Sequence, residues 1–338
     1  MGLMVKRRKI NKISIGTRGS KLALWQAECI KSLLKKHHPD LEVHLIKIKT
    51  TGDMILDVPL AQVGGKGLFV KEIEEAILRN VIDIAVHSMK DVPTEFPAGL
   101  HLSAICERED PRDAFICQVL NFRFKVPRFK DLSRGARIGT SSLRRSSQLL
   151  NMRPDLQITQ LRGNLDTRMR KLDEGQFDAI ILAVAGVKRL GLQNRITQIL
   201  PFEVSLPAIG QGAIGIECRV DDEIINKIVG ALNHKETSIA VRAERAFLKR
   251  LEGGCQVPIA AYARIEHTAE GKGQKDPLLM THHSLLVMDG LVGSIDGKRL
   301  VRGRIEGKPE DHELLGIRLA EDLLSRGAGE ILAEVYGS

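Results

Sequence analysis

The strongest constraint on this fold is a pattern that runs twice along the chain. A short apolar stretch reaches a polar turn, and the turn opens a segment whose apolar residues recur every three or four positions. Residues 13–16 form the first such stretch, followed by Thr17-Arg18-Gly19-Ser20 and then by Leu22, Trp25, Cys29 and Leu33 at helical spacing. Ser20 stands where an N-cap is needed. The same order returns at 137–139, where Thr140-Ser141-Ser142 cap a helix expected to run through residue 150. The tripeptide Ile15-Gly16-Thr17 recurs as Ile138-Gly139-Thr140. Further strands are expected at 43–49, 82–86, 158–161 and 178–184, and helices at 69–79 and 166–172. Alternating βα units imply mixed, mainly parallel sheets covered on both faces. The α/β part of the chain therefore reads as two similar lobes.

After about residue 235 the pattern changes. A helix is expected at 237–251, strands at 260–265, 284–288 and 299–304, an Asp296-Gly297 hairpin turn, and a last helix at 313–324. This is a C-terminal α+β domain. Between the two regions, residues 201–215 carry Pro201, Pro207, Gly210, Gly212 and Gly215, which suits a crossover or hinge. The expected division is a basic tail over 1–12, a first lobe over 13–110 plus about 207–230, a second lobe over 111–206, and the C-terminal domain over 235–338. Residues 267–283 are polar and rich in Gly and Lys, as in a surface loop. The pairs His37-His38 and His282-His283 lie in polar, loop-like contexts and are expected at the surface; no metal site is expected.

Composition excludes several classes. The 51 basic and 42 acidic residues give +9, but five of the cations lie in the first twelve residues, leaving +4 for the other 326. With aromatics at 4%, the chain offers neither a strongly basic surface nor a stacking platform for nucleic acid. The longest apolar run, 179–187, is far short of the ~20 residues of a membrane helix. Five cysteines (29, 106, 117, 218 and 255) without any CxxC indicate neither a disulfide framework nor a zinc ribbon, and suit a reducing cytoplasm. Cys29, in a helical pattern, and Cys106 and Cys218, at strand ends, read as buried small hydrophobes. Cys255, in Gly253-Gly254-Cys255-Gln256-Val257-Pro258, is either a functional thiol or an ordinary loop cysteine.

Ligands of open α/β sheets bind beyond the carboxyl ends of the strands. Here those ends carry Arg18 and Ser20; His87, Ser88, Lys90 and Asp91; Thr140, Ser141, Ser142, Arg144 and Arg145; Arg162 and Arg168; and Arg189. The turn Gly64-Gly65-Lys66-Gly67 adds a cation on a flexible loop, and its spacing is not that of a P-loop. Six arginines and two lysines at ligand-facing ends imply a small molecule with many carboxylates or phosphates, since guanidinium forks match such groups. Asp91 is the odd acid among them. It is either a salt-bridge partner or the group that stabilises a cationic intermediate and moves protons. His87 is equally a structural partner or a site residue.

Nine stretches in order carry a resemblance: IGTRGSKLALWQA (15–27), VGGKGLFVKEIE (63–74), DIAVHSMKDVPTEFP (83–97), CEREDPRDAF (106–115), GTSSLRR (139–145), LRGNLDTR (161–168), LAVAGVKRLGL (182–192), LPAIGQGAIGIE (206–217) and LEGGCQVPIAAYA (251–263). Through them the chain closely resembles the porphobilinogen deaminase (hydroxymethylbilane synthase) family over about residues 13–338. The resemblance implies two periplasmic-binding-protein-like (type II) lobes and a third α+β domain. It implies a transferase of tetrapyrrole biosynthesis that joins four porphobilinogen molecules head to tail into hydroxymethylbilane, with loss of four ammonia. The implied cofactor is dipyrromethane, held by a thioether to Cys255. Asp91 matches the catalytic aspartate. Ser88, Lys90, Thr140, Ser141, Ser142, Arg144, Arg145, Arg168 and Gly186 match cofactor-binding positions, and Arg18, Ser20, Lys66, Phe69, Arg162, Arg189 and Gln211 substrate-binding ones. Gln62 stands where many members have lysine, and 118–134 and 267–283 are longer than in compact bacterial members. A cytoplasmic monomer without nucleic-acid or membrane partners is expected. The alternative reading is a non-catalytic, two-lobed polycarboxylate binder.

Overall fold

The computed structural model describes residues 11–54, 70–118, 128–253, 257–269 and 282–337. The chain begins β1 (Lys12–Thr17), α1 (Lys21–His37), β2 (Glu42–Lys47), α2 (Thr51–Met54), α3 (Lys71–Leu78), β3 (Ile84–Ser88) and β4 (Leu100–Ile105). It continues β5 (Asp113–Cys117), β6 (Arg137–Gly139), α4 (Leu143–Met152), β7 (Gln157–Thr159), α5 (Leu165–Asp173), β8 (Ala179–Ala183), α6 (Val184–Arg189) and β9 (Gln198–Ile199). Then come β10 (Ile214–Arg219), α7 (Glu223–Gly230), α8 (Lys235–Arg250), β11 (Ile259–Ala269), β12 (His282–Gly293), β13 (Leu300–Gly307), α9 (His312–Leu323) and α10 (Gly329–Gly337).

Two five-stranded sheets share one topology, with orders β2-β1-β3-β10-β4 and β7-β6-β8-β5-β9. In the first, β1 pairs in parallel with β2 and β3, and β10 lies antiparallel between β3 and β4. In the second, β6 pairs in parallel with β7 and β8, and β5 lies antiparallel between β8 and β9. Four strands of each five therefore point the same way. The reversed strand is the one by which the chain arrives from the other sheet: β5 through residues 106–112, β10 through residues 200–213.

Alternation along the strands explains the coverage of both faces. On β5 and β8, Ala114, Ile116, Ile180 and Leu182 pack toward Met169, Leu172, Val184 and Val187 of α5 and α6. Phe115, Cys117, Ala179 and Ile181 face the other way, toward Leu149 of α4 and Phe129. In the first sheet, α1 and α7 cover one face through Ile30, Leu34, Ile225 and Val229, and α3 covers the other through Ile73 and Ile77. Each fully buried Ile, Leu, Val, Met or Phe among them contributes about 1.5–3 kcal/mol.

The third sheet, β11-β12-β13, is antiparallel. Phe247 of α8 and Leu315, Leu319 and Leu323 of α9 pack on one face of it. A methyl group on Gly316 would sit 2.2 Å from the Ala243 carbonyl oxygen, so this glycine lets α8 and α9 cross closely.

The structure differs from the sequence reading in several places. The apolar run 179–187 is a strand followed by a helix, because β8 ends at Ala183 and α6 begins at Val184. Continuous apolarity hides such a switch, since both elements are buried. The loop expected over 267–283 is shorter: β11 runs to Ala269 and β12 starts at His282, and only 270–281 lie outside the described residues. His282 and His283 are thus strand residues, while His37 ends α1 and His38 caps it. Cys29 is half-buried.

Two buried carboxylates organise the crossing between the lobes. Glu244 of α8 accepts from Arg108 (Nη1, 2.6 Å; Nη2, 3.2 Å) on the first crossing, from the Gly210 N–H (2.6 Å) on the second, and from the Ala263 N–H (2.9 Å) on β11. Gly212, at φ +93, turns the second crossing where a methyl group would meet the Glu109 carbonyl oxygen at 2.3 Å. Glu244→Ala leaves Arg108 buried without its partner, and is expected to cost about 3–5 kcal/mol in chemical denaturation. Glu321→Ala, which breaks the exposed pair with Arg250, is expected to cost about 1 kcal/mol or less.

Candidate active site

The turn after β3 faces the second lobe across a cleft, with Lys90 and Asp91 within electrostatic reach of Arg145 and Arg168. On the first lobe, the Ser20 hydroxyl caps α1 by accepting from the Ala23 N–H at 3.2 Å. Arg18, Ser20, Gln26, His87, Ser88 and Asp91 line a cavity of about 70 Å³. Gln26 donates through Nε2 to the Ser88 hydroxyl at 2.8 Å. A single helical turn over Met89–Asp91 follows β3 and leaves Lys90 half-buried and Asp91 exposed.

On the second lobe, Ser142 caps α4 by accepting from the Arg145 N–H at 3.4 Å. The Thr140 hydroxyl accepts from the Ser142 N–H at 3.2 Å, and Ser141 donates to the Leu161 carbonyl at 2.9 Å. Arg162 is half-buried, as is Arg168, whose Nε donates to the Gly163 carbonyl at 2.8 Å. Arg189 donates to the Gly212 carbonyl at 2.7 Å and lies over the Trp25 ring at 5.6 Å. It thus links α6 to the first lobe and to the crossing. Gly186 is buried in α6, where a methyl group would contact Leu22 and Leu165 at 3.6 and 3.7 Å.

Arg144 and Arg145 depart from the expectation of open cofactor contacts. They are 4% and 5% exposed and grip Asp113, which is wholly buried at the start of β5. Arg144 Nη1 donates to Asp113 Oδ2 (2.8 Å) and the Leu206 carbonyl (2.7 Å). Arg145 donates through Nε and Nη2 to Asp113 Oδ1 (3.0 and 2.7 Å) and through Nη1 to the Ile181 carbonyl (2.9 Å). A neighbouring Arg pair beside one buried acid is satisfied internally first. Gln211 departs in the same way: it is 1% exposed, and its Nε2 donates to the Pro111 carbonyl and to Asp113 at 2.6 and 2.9 Å. Lys66, Phe69 and Cys255 lie outside the described residues, as do Gln62, the 64–67 turn, residues 119–127 and the first ten residues of the tail.

Two guanidiniums on one carboxylate leave the Asp113 cluster with a net positive charge. Its field crosses the cleft. Lys90 has its pKa pushed down to about 8, by burial first; Asp91 opposes the shift, and Arg145 adds to it. Arg168 is pushed down to about 10 by burial and then by Arg145, with Asp91 again opposing. Burial also lowers Arg189. For Asp113 itself burial raises the pKa, but the combined effect of Arg144 and Arg145 holds it well below the usual carboxylate range.

The donors suit a dipyrromethane bearing several carboxylates. Cations from both lobes share the cleft, and among the described residues the buried Arg144 Nε has no hydrogen-bond partner. Sequence reasoning missed Gln26, Asp113 and Glu244. Gln26 carried a signal, being polar one position from Ala27 and four from Ile30 on a core-facing stripe.

Comparisons with known proteins identify the family. Residues 13–227 match the family model "Porphobilinogen deaminase, dipyromethane cofactor binding domain", and residues 238–325 match "Porphobilinogen deaminase, C-terminal domain". This chain belongs to the porphobilinogen deaminase family. It is 57% identical over 327 residues to the porphobilinogen deaminase of Geobacter sulfurreducens, covering 97% of this chain and 96% of that one. It is 58% identical over 324 residues to that of Geobacter metallireducens, covering 96% and 95%. Among solved structures, it is similar to a probable amino-acid ABC transporter extracellular-binding protein of Bacillus subtilis, with 13% identity, a TM-score of 0.39 and coverage of 66% and 92%. The fold is mixed α/β with two lobes, and its first two thirds form the family's dipyrromethane-binding domain.

Lys90 loses its charge as pH rises through about 8, so its hold on a bound carboxylate would weaken over that range. The KM for porphobilinogen is expected to climb several-fold between pH 7 and 9. Lys90→Met should raise KM at pH 7 and flatten that climb.

Proposed function

We propose that this chain is a hydroxymethylbilane synthase. It joins four porphobilinogen molecules head to tail, releases four ammonia, and frees the linear product by hydrolysis. The observation that carries the reading is that Arg18 lines one cavity with Asp91 while Lys90 and Arg168, one from each lobe, both feel the Asp91 charge. Each pyrrole brings an acetate and a propionate, and such a charge density can be desolvated only against an equal density of cations. When bound, dipyrromethane supplies the free pyrrole carbon to which the first substrate ring is joined. Cys255 is its attachment point in this proposal, lying in sequence between the buried Leu251 and Val257.

The protein's own groups then have distinct tasks. Arg18, Lys66, Arg162 and Arg189 orient substrate carboxylates, with Ser20 and Phe69 around them; Gln211 acts through its bond to Asp113. Ser88, Lys90, Thr140, Ser141, Ser142, Arg168 and Gly186 surround the cofactor, while Arg144 and Arg145 act on it through the positive charge of the Asp113 cluster. Asp91 stabilises the cation left when porphobilinogen loses ammonia. A fixed carboxylate next to the developing positive charge stabilises it without rearrangement. The three sheets support a division into lobes at 13–110 with 207–230 and at 111–206, and a C-terminal domain at 235–338. A monomer in the cytoplasm completes the proposal. The covered sheet faces and the free thiols of Cys106, Cys117 and Cys218 support it.

The test is peptide mapping with activity assays. The proteolytic peptide holding Cys255 is expected to carry two porphobilinogen units less two ammonias, and Cys255→Ser to carry none. Asp91→Asn is expected to keep the adduct-binding fold and lose at least ~100-fold in kcat. An unmodified Cys255 peptide in a native chain that consumes no porphobilinogen would leave the polycarboxylate binder, which the family matches do not support.

A further inference from the structure

Beneath the cavity that holds Asp91 lies a second group of titratable side chains that the account above does not use. His87 on β3, Glu217 on β10 and Glu74 on α3 are 6%, 1% and 8% exposed. His87 Nε2 lies 2.9 Å from Glu217 Oε2. Antiparallel pairing of β10 with β3 sets these two strands side by side, with Gly215 opposite His87 and Ile216 opposite Val86. The other oxygen, Glu217 Oε1, is buried without a hydrogen-bond partner among the described residues. His87 also lines the Asp91 cavity, with Arg18, Ser20, Gln26 and Ser88.

Resting on the deaminase reading, we propose that His87, oriented by Glu217, is the group that takes the surplus proton after each ring is joined. A carboxylate can only accept, so it fixes the proton of the neutral imidazole on Nε2 and leaves Nδ1 as the lone pair. The chemistry needs such an acceptor. When a free pyrrole carbon bonds to the methylene carbon of the incoming unit, it keeps its hydrogen and its ring becomes cationic. Transfer of that hydrogen to Nδ1 as a proton returns the C–H pair to the ring and restores aromaticity. The resulting imidazolium is balanced by Glu217 and passes its proton to the released ammonia or to solvent. Asp91, already committed to stabilising the cation, need not lose its charge in the same step. Glu74 borders the group: burial and then Glu217 push its pKa up to about 7, with His87 opposing.

The test uses the full chain and porphobilinogen deuterated at its free α-carbon. Nitrogen NMR of the native protein is expected to show His87 protonated at Nε2 and bare at Nδ1, and Glu217→Gln to scramble that preference. His87→Gln is expected to lose about 100-fold in kcat with little change in KM, and its deuterium isotope effect should rise well above the native value. Glu217→Gln should move both quantities in the same direction by less. A proton on Nδ1 in the native protein overturns the proposal even if no variant folds. So does a His87→Gln enzyme whose isotope effect equals the native one. A native chain that consumes no porphobilinogen overturns the deaminase reading itself, and this inference with it.

Discussion

The architecture depends on how two strands of chain cross between the lobes without letting them drift. Glu244 gathers the first crossing, the second crossing and β11 into one buried carboxylate, through Arg108, Gly210 and Ala263. Asp113 does the same on the second lobe, drawing Arg144, Arg145, Ser205 and Gln211 onto its two oxygens. Neither carboxylate is cheap to bury, and each is balanced by guanidinium and hydrogen-bond donors. They hold two sheets built on one plan, with the turn after β3 facing the second lobe across the cleft.

That rigidity gives the cleft its electrostatic character. The Asp113 cluster is overcharged by one guanidinium, and Lys90 and Arg168 are half-buried within its field. Both bear lowered pKa values because their charge is desolvated and repelled before any ligand arrives. Carboxylates entering the cleft relieve that repulsion. Asp91, after β3, is the local exception, the acid that opposes both shifts. Preorganised charge of this kind costs no rearrangement at the moment of reaction.

Much of this was legible in the sequence. The repeated Ile-Gly-Thr strand ends, the Ser20 and Ser142 caps and the cations after each strand all carry local signals, because capping and strand ends are decided within a few residues. Within the nine-residue run at 179–187 the strand was legible but the helix from Val184 was not, since burial on all sides erases the periodicity that separates the two. Long-range pairing was opaque too. Nothing near Arg144 announces that Asp113, 31 positions earlier, will bury it, and nothing near Glu244 announces Arg108. Gln211 followed the family motif yet sits inside the crossing, because its amide was needed to close it.

The most direct test of the central claim is intact mass spectrometry of the native chain with limiting porphobilinogen. A cleft built for a growing polycarboxylate predicts a ladder of up to four added units above the starting mass, each less one ammonia, with the fourth giving way to the starting mass as product leaves. A chain whose mass stays fixed while porphobilinogen is consumed, or a ladder unchanged when Arg18 and Arg168 are both replaced by Gln, would contradict it.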